Sequence, residues 1–168
     1  MRSEEENWLN TFHTNVVGQY FMSMAFLPLL AKGNKAHTDN ISSIVNVSSI
    51  SGAMKGMSGG QPSYASSKAA FTHLSRMLAT TFKEVNVRVN TIAPGVFPSE
   101  MTTGSSGEDN KSELTRDASN PSGRFGADSD MAATILFLAS KGGAFYNEQI
   151  LYPDGGEIGM TTRALMKC

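Results

Sequence analysis

Two short runs rich in β-branched residues, 41–47 (Ile-Ser-Ser-Ile-Val-Asn-Val) and 86–93 (Asn-Val-Arg-Val-Asn-Thr-Ile-Ala), sit between longer stretches whose apolar residues recur at helical spacing. Such runs are expected of strands buried on both faces, which requires a parallel sheet covered by helices. The flanking stretches supply those helices. Trp8, Leu9, Phe12, Val16 and Tyr20 share one face of a helix expected over about residues 4–31, opened by a capping box from Ser3 to Glu6. Phe71, Leu74, Met77, Leu78 and Phe82 mark a second helix over about 64–84, where Ala69 and Ala70 allow close packing. Residues 131–139 read as a third helix and 149–152 as a last strand, stopped by Pro153-Asp154-Gly155-Gly156. The order α-β-α-β-α-β places the chain in the α/β class. The polar stretch 102–130 reads as a lid-like segment.

Composition narrows the function. At 168 residues the chain suits one domain with its own core. A net charge of −1 without a Lys/Arg cluster gives no electrostatic reason to expect nucleic acid or an anionic membrane as partner. Cys168 is the one cysteine, which excludes an intrachain disulfide and fits a reducing, cytoplasmic setting. His13, His37 and His73 share no ligand spacing, so no metal is implied. The ten methionines read as packing, including the lining of an apolar substrate pocket. No apolar run approaches the roughly 20 residues of a membrane span, and residues 1–7 are acidic, unlike a targeting leader.

In an open parallel sheet, ligands bind outside the carboxyl ends of the strands. Ser48-Ser49 and Pro94-Gly95 fall there, and Tyr64 and Lys68, four residues apart, share one helix face. Taken singly, each has a plain structural reading. A Tyr–Lys pair is at home on a solvated helix, Asn15 is a tolerated helical Asn, and Pro94-Gly95 ends a strand. The ordered set says more: Asn15, then Asn46-Val47-Ser48-Ser49-Ile50-Ser51-Gly52, Tyr64-Ala65-Ser66-Ser67-Lys68, Asn90-Thr91-Ile92-Ala93-Pro94-Gly95, and Asp154-Gly155-Gly156. This set resembles the short-chain dehydrogenase/reductase family from its fourth helix to its C-terminus. Leu74-Ser75-Arg76-Met77-Leu78-Ala79, Pro98-Ser99-Glu100-Met101-Thr102 and Gly123-Arg124-Phe125-Gly126 are similar to the branch of rhamnolipid-type 3-oxoacyl-carrier-protein reductases.

The resemblance implies the C-terminal part of a Rossmann-like, doubly wound parallel sheet and an NAD(P)-dependent ketoreductase that interconverts a carbonyl and an alcohol. Its implied catalytic residues are Asn15, Ser49, Tyr64 and Lys68. The cofactor, NADP(H) ahead of NAD(H), would be held by Tyr64, Lys68, Pro94, Gly95, Phe97 and Ser99. Phe97 stands where the family usually has Val or Ile, but its expected contact is through backbone. The partners implied are a small carbonyl or alcohol substrate and a second copy of the chain, joined through the helices at about 4–31 and 64–84.

The chemistry explains the residue types. Carbonyl reduction needs an acid beside the reacting oxygen. A free phenol is too weak, with a pKa near 10, but an ammonium about 4 Å away contributes roughly 4 kcal/mol at an effective dielectric of about 20. Lys68 would thus make Tyr64 a usable acid and base, and by resemblance bond the nicotinamide ribose. Ser49 would polarise the carbonyl, Ser48 would cap the turn, and Asn15 would hold a proton-relay water.

The family begins with a strand, a Gly-rich turn and a helix whose N-terminus binds pyrophosphate. The sequence holds no Gly-x-x-x-Gly-x-Gly unit; Gly56, Gly59 and Gly60 lie between the serine strand and the tyrosine helix. The expectation is a truncated member whose N-terminal strands are missing, with an open edge at 41–47 and weak or no activity alone. Two other readings stand beside it: a non-catalytic interaction module on the same fold, and an epimerase or dehydratase, since related enzymes share Tyr-x-x-x-Lys.

Overall fold

The computed structural model describes residues 4–36, 41–56, 58–103, 112, 114–115 and 117–160. Helix α1 (Glu5–Phe12) passes through a π-helical turn, His13–Val17, into α2 (Gly18–Ala36). Strand β1 (Ser43–Val47) leads through a short 3-10 turn, Ile50–Gly52, to α3 (Pro62–Phe82) and β2 (Arg88–Ile92). Then come α4 (Glu100–Thr103), α5 (Asp128–Ala139), β3 (Ile150–Leu151) and α6 (Glu157–Met160). Among the described residues the sheet has the order β1-β2-β3, all parallel, with Ser43 opposite Arg88 and Val47 opposite Ile92.

Period-two alternation along the strands divides the two faces. Towards α3 and α2, Val87 and Val89 join Leu78, Ala79 and Phe82 in the core, with Leu27, Leu30, Ile44 and Leu74 packed on it. Asn46 lies on the same face and donates to Ser75 Oγ at 2.8 Å. Towards α5 lie Arg88, Asn90 and Ile92. The central strand β2 is buried throughout, whereas β1 is an outer strand with Val47 47% exposed.

Several sequence expectations are corrected in detail. The first helix starts at Glu5 with Glu4 at the N-cap and no side-chain cap bond, and Ser3 of the expected capping box lies outside the described residues. It also runs to Ala36 rather than ending near 31. The cause is tertiary: Asn34 Nδ2 donates to the carbonyls of Val85 and Asn86 at 3.1 and 2.7 Å, and its Oδ1 accepts from Ser42 N at 2.6 Å. One side chain thereby ties α2 to the end of α3 and the start of β1. The third helix begins at Asp128, three residues ahead of expectation, because Asp130 accepts from Ala127 N at 2.8 Å. The Arg124 guanidinium beside Asp130 holds that carboxyl down at about 2. Of the lid-like stretch 102–130, residues 104–111, 113 and 116 lie outside the described residues, as do His37 and Cys168.

Arg88 is the unexpected structural residue. It is 5% exposed, and its guanidinium donates to the carbonyls of Gly143 (2.7 Å), Tyr146 (3.1 Å), Leu138 (3.2 Å) and Ile41 (3.3 Å). A cation near the end of α5 satisfies carbonyls that the helix leaves unpaired. Arg88→Met is expected to lower unfolding stability by about 2 kcal/mol, since it strips charged donors from several acceptors at once. Urea titration measures this, and an unchanged midpoint would remove Arg88 from the account.

Candidate active site

The carboxyl ends of β1 and β2 place two serines and a proline turn side by side. Ser48 N donates to Ile92 O at 2.7 Å and Ile50 N to Pro94 O at 3.0 Å, so the two strand exits continue the sheet's pairing into the loops. The serines then part. Ser48 is buried, with its hydroxyl 2.9 Å from Lys68 O and 2.7 Å from Thr72 Oγ1 on α3. Ser49 is half-buried and accepts from Ser51 N at 3.1 Å. The turn-capping role expected of Ser48 is therefore performed by Ser49. Ser48 instead pins the strand to the tyrosine helix. The bond from Ser51 uses a lone pair of Ser49 and leaves its hydroxyl proton for a ligand.

Gly52 lets this turn reach α3. A Cβ there would stand 2.7 Å from Lys68 C and from Ala69 N, a distance no side chain tolerates. Tyr64 and Lys68 occupy the first turns of α3, both half-buried. Lys68 Nζ donates to Val47 O at 3.2 Å and lies 5.7 Å from the centroid of the Tyr64 ring. Burial lowers the Lys68 pKa from the ordinary lysine value. Its ammonium is therefore poorly hydrated, and a neighbouring anion or acceptor gains more from it than from a surface lysine.

One cavity of about 770 Å³ gathers Ser49, Tyr64, Lys68, Pro94, Gly95, Phe97 and Ser99. Met54, Met131 and Glu157 also line it, none of which the sequence marked individually. The loop after β2 is set from behind by Gly95 N, which donates to Pro153 O at 3.2 Å. Thr102 Oγ1 donates to Phe97 O at 2.9 Å, while the Phe97 amide has no acceptor among the described residues. A backbone donor without an acceptor among the described residues, a half-buried amine and the Ser99 hydroxyl, all from residues lining one cavity, suit the carboxamide and ribose of a nicotinamide nucleotide.

Asn15 stands apart from this cavity wall. It lies inside the π-helical turn, and its Nδ2 donates to Ser67 Oγ at 3.0 Å, which donates to Tyr64 O at 2.8 Å. A π turn leaves one extra residue in the ladder and is common near functional sites. No sequence period reveals one. Among the described residues, no three His, Cys, Asp or Glu side chains lie where they could hold a metal ion, and no helix is long and apolar enough to cross a membrane.

Comparison with known proteins agrees with this architecture. The family described as Enoyl-(Acyl carrier protein) reductase matches residues 1–157. The short-chain dehydrogenase/reductase PhomF of Diaporthe leptostromiformis is 41% identical over 155 residues, which cover 90% of this chain and 52% of PhomF. The rhamnolipids biosynthesis 3-oxoacyl-[acyl-carrier-protein] reductase of Pseudomonas aeruginosa is 35% identical over 149 residues, covering 89% of this chain and 57% of that protein. A solved Pseudomonas aeruginosa RhlG/NADP active-site complex superposes with a TM-score of 0.74 at 32% identity, covering 90% of this chain and 59% of that one. The chain thus spans between half and three fifths of the length of these relatives. With the Rossmann-like parallel sheet, the helices on its two faces and the family match over nearly its whole length, the chain belongs to the short-chain dehydrogenase/reductase family.

Proposed function

We propose that these residues form the reaction half of an NAD(P)-dependent ketoreductase, an oxidoreductase interconverting a small carbonyl compound and its alcohol. The observation that carries the reading is the single cavity bearing Ser49, Tyr64 and Lys68 with the loop from Pro94 to Ser99. When bound, a nicotinamide dinucleotide supplies the hydride for carbonyl carbon. The chain's own residues do the rest. Ser49 donates its hydroxyl proton in a hydrogen bond to the carbonyl oxygen and stabilises the negative charge that grows there. Tyr64 delivers the proton to that oxygen. Lys68, held by Val47 O, stabilises the phenolate left behind and binds ribose hydroxyls. The Phe97 amide and Ser99 hydroxyl hold the carboxamide. Asn15, linked through Ser67 to the Tyr64 backbone, supports the proton path towards Lys68.

NADP(H) is the favoured dinucleotide, since the solved relative described above is an NADP complex. The apolar lining from Ile50, Met54, Val96 and Met131 suits a substrate with a hydrocarbon body. The test is ketone-dependent NADPH oxidation by a polypeptide in which residues 1–168 follow the N-terminal segment of the Pseudomonas aeruginosa reductase that precedes its matched residues. Absence of turnover from a folded, NADPH-binding fusion would refute the reading.

An interaction module is the second reading, favoured by the apolar residues that α1 and α2 expose, among them Leu9, Phe21, Phe26 and Leu29. The two readings agree on one outcome. A polypeptide of these 168 residues is expected to bind NADPH more weakly than about micromolar, because its sequence has no Gly-rich turn opening a helix to hold the pyrophosphate. Calorimetry showing micromolar affinity would contradict this.

A further inference from the structure

Phe97 lines two cavities at once. It borders the reaction cavity of about 770 Å³ and, together with Val96, also a smaller one of about 270 Å³ that Asn120, Arg124, Gly126 and Asp154 line. Its ring is seated on Gly126. A Cβ added at Gly126 would overlap the Cδ1, Cε1 and Cζ atoms of that ring, none farther than 2.6 Å. The backbones are joined at the same point, since Gly126 N donates to Val96 O at 3.1 Å. The segment carrying Gly126 is itself anchored: Ser122 N donates to Gly155 O at 3.1 Å, and Asn120 Nδ2 to Arg124 O at 2.8 Å.

We propose that Gly126 is a positioning residue, whose missing side chain seats the Phe97 ring as the partition between the two cavities and so fixes the 95–99 backbone on the reaction side. The inference rests on the reading that this backbone holds a nicotinamide group. A ring denied its seat has two places to go. Moving into the larger cavity, it covers the loop wall; moving into the smaller one, it draws the Phe97 backbone with it. Either movement disturbs the same ligand site. Valine at position 97 has no ring to displace, so the requirement for glycine at 126 should vanish with the aromatic side chain.

The test titrates the 168-residue chain and its variants with nicotinamide mononucleotide, which carries the nicotinamide ribose without the adenosine half, and follows binding by NMR chemical shifts. Gly126→Ala should weaken binding at least about fivefold, the consequence of overpacking at one contact. Gly126→Ala combined with Phe97→Val should bind within about twofold of Phe97→Val alone, since coupled neighbours are not additive. An undiminished affinity in Gly126→Ala, or an equal loss from it in both backgrounds, overturns the inference and leaves the cavity assignment standing. Failure of the unaltered chain to bind the mononucleotide overturns the assignment and the inference together. If Gly126→Ala does not fold, the double variant decides: folded and binding supports the partition, unfolded overturns it.

Discussion

Tyr64→Phe is expected to lower kcat for ketone reduction at least about 10²-fold in the fusion that binds NADPH, with the fold and the dinucleotide affinity kept. Phenylalanine keeps the ring and removes one hydroxyl. That hydroxyl makes no hydrogen bond among the described residues, so its loss leaves no buried group unpaired. The ring's position beside Lys68 Nζ, 5.7 Å from centroid to nitrogen, is available to phenylalanine as well. What disappears is the one group in the cavity assigned to hand a proton to the carbonyl oxygen. A general acid contributes roughly 10²- to 10⁴-fold, so the loss should fall on turnover rather than on binding. Steady-state kinetics with a parallel NADPH titration separates the two. A variant retaining more than about a tenth of turnover would show that another donor serves the oxygen.

The parts of the fold legible in the sequence are those set by local period. The runs 41–47 and 86–93 declare strands through β-branched residues, and the face of Phe71, Leu78 and Phe82 declares α3, because burial of that stripe is what holds it. That the Ser48-Ser49 pair, Tyr64 and Lys68 border one cavity was legible, because a parallel sheet delivers its strand ends to one rim and Tyr64 and Lys68 share a helix face, whereas the choice of Ser49 within the pair came from the family resemblance. What escaped depends on contacts across the chain. Nothing local to Asn34 shows that it will bond Ser42, Val85 and Asn86 and so carry α2 beyond residue 31. The π-helical turn at His13–Val17 changes no hydrophobic period. Arg88 reads as a charge in an apolar run, and only the fold supplies the four carbonyls around it.

The serine pair shows the limit most sharply. Two adjacent hydroxyls at a strand end are equivalent on paper, and the expected division of labour had Ser48 capping the turn. The alternation of side chains across β1 decides differently. Ser48 shares the face of Ile44 and Asn46, which is covered by α3, and so it finds Thr72 and Lys68 O. Ser49 follows on the opposite phase, at the start of the 3-10 turn, where it accepts from Ser51 N and still borders the cavity.

Lys68→Met should reduce kcat/KM about 10²- to 10³-fold while leaving the chain as stable as before or more so. The functional loss follows from two assigned duties, stabilising the Tyr64 phenolate and binding the ribose, so turnover and nicotinamide affinity should both fall. The stability effect follows from the direction of the pKa shift. Burial lowers the Lys68 pKa below 10.5. Between the lowered value and 10.5 the unfolded chain holds a proton that the folded chain has released, so folding gains stability as pH rises through that window. Below the window both states hold the proton, and the folded state bears the cost of a poorly hydrated ammonium. Methionine keeps much of the stem's packing without the charge, and removes that cost at neutral pH. Thermal melts of both proteins across neutral and alkaline pH test the linkage: the wild-type chain should gain on the variant as pH rises into the window, and the advantage of methionine should shrink. A variant that melts well below wild type at neutral pH would mean that the ammonium's bond to Val47 O outweighs its burial, and that Lys68 is held in place for the fold rather than at the fold's expense.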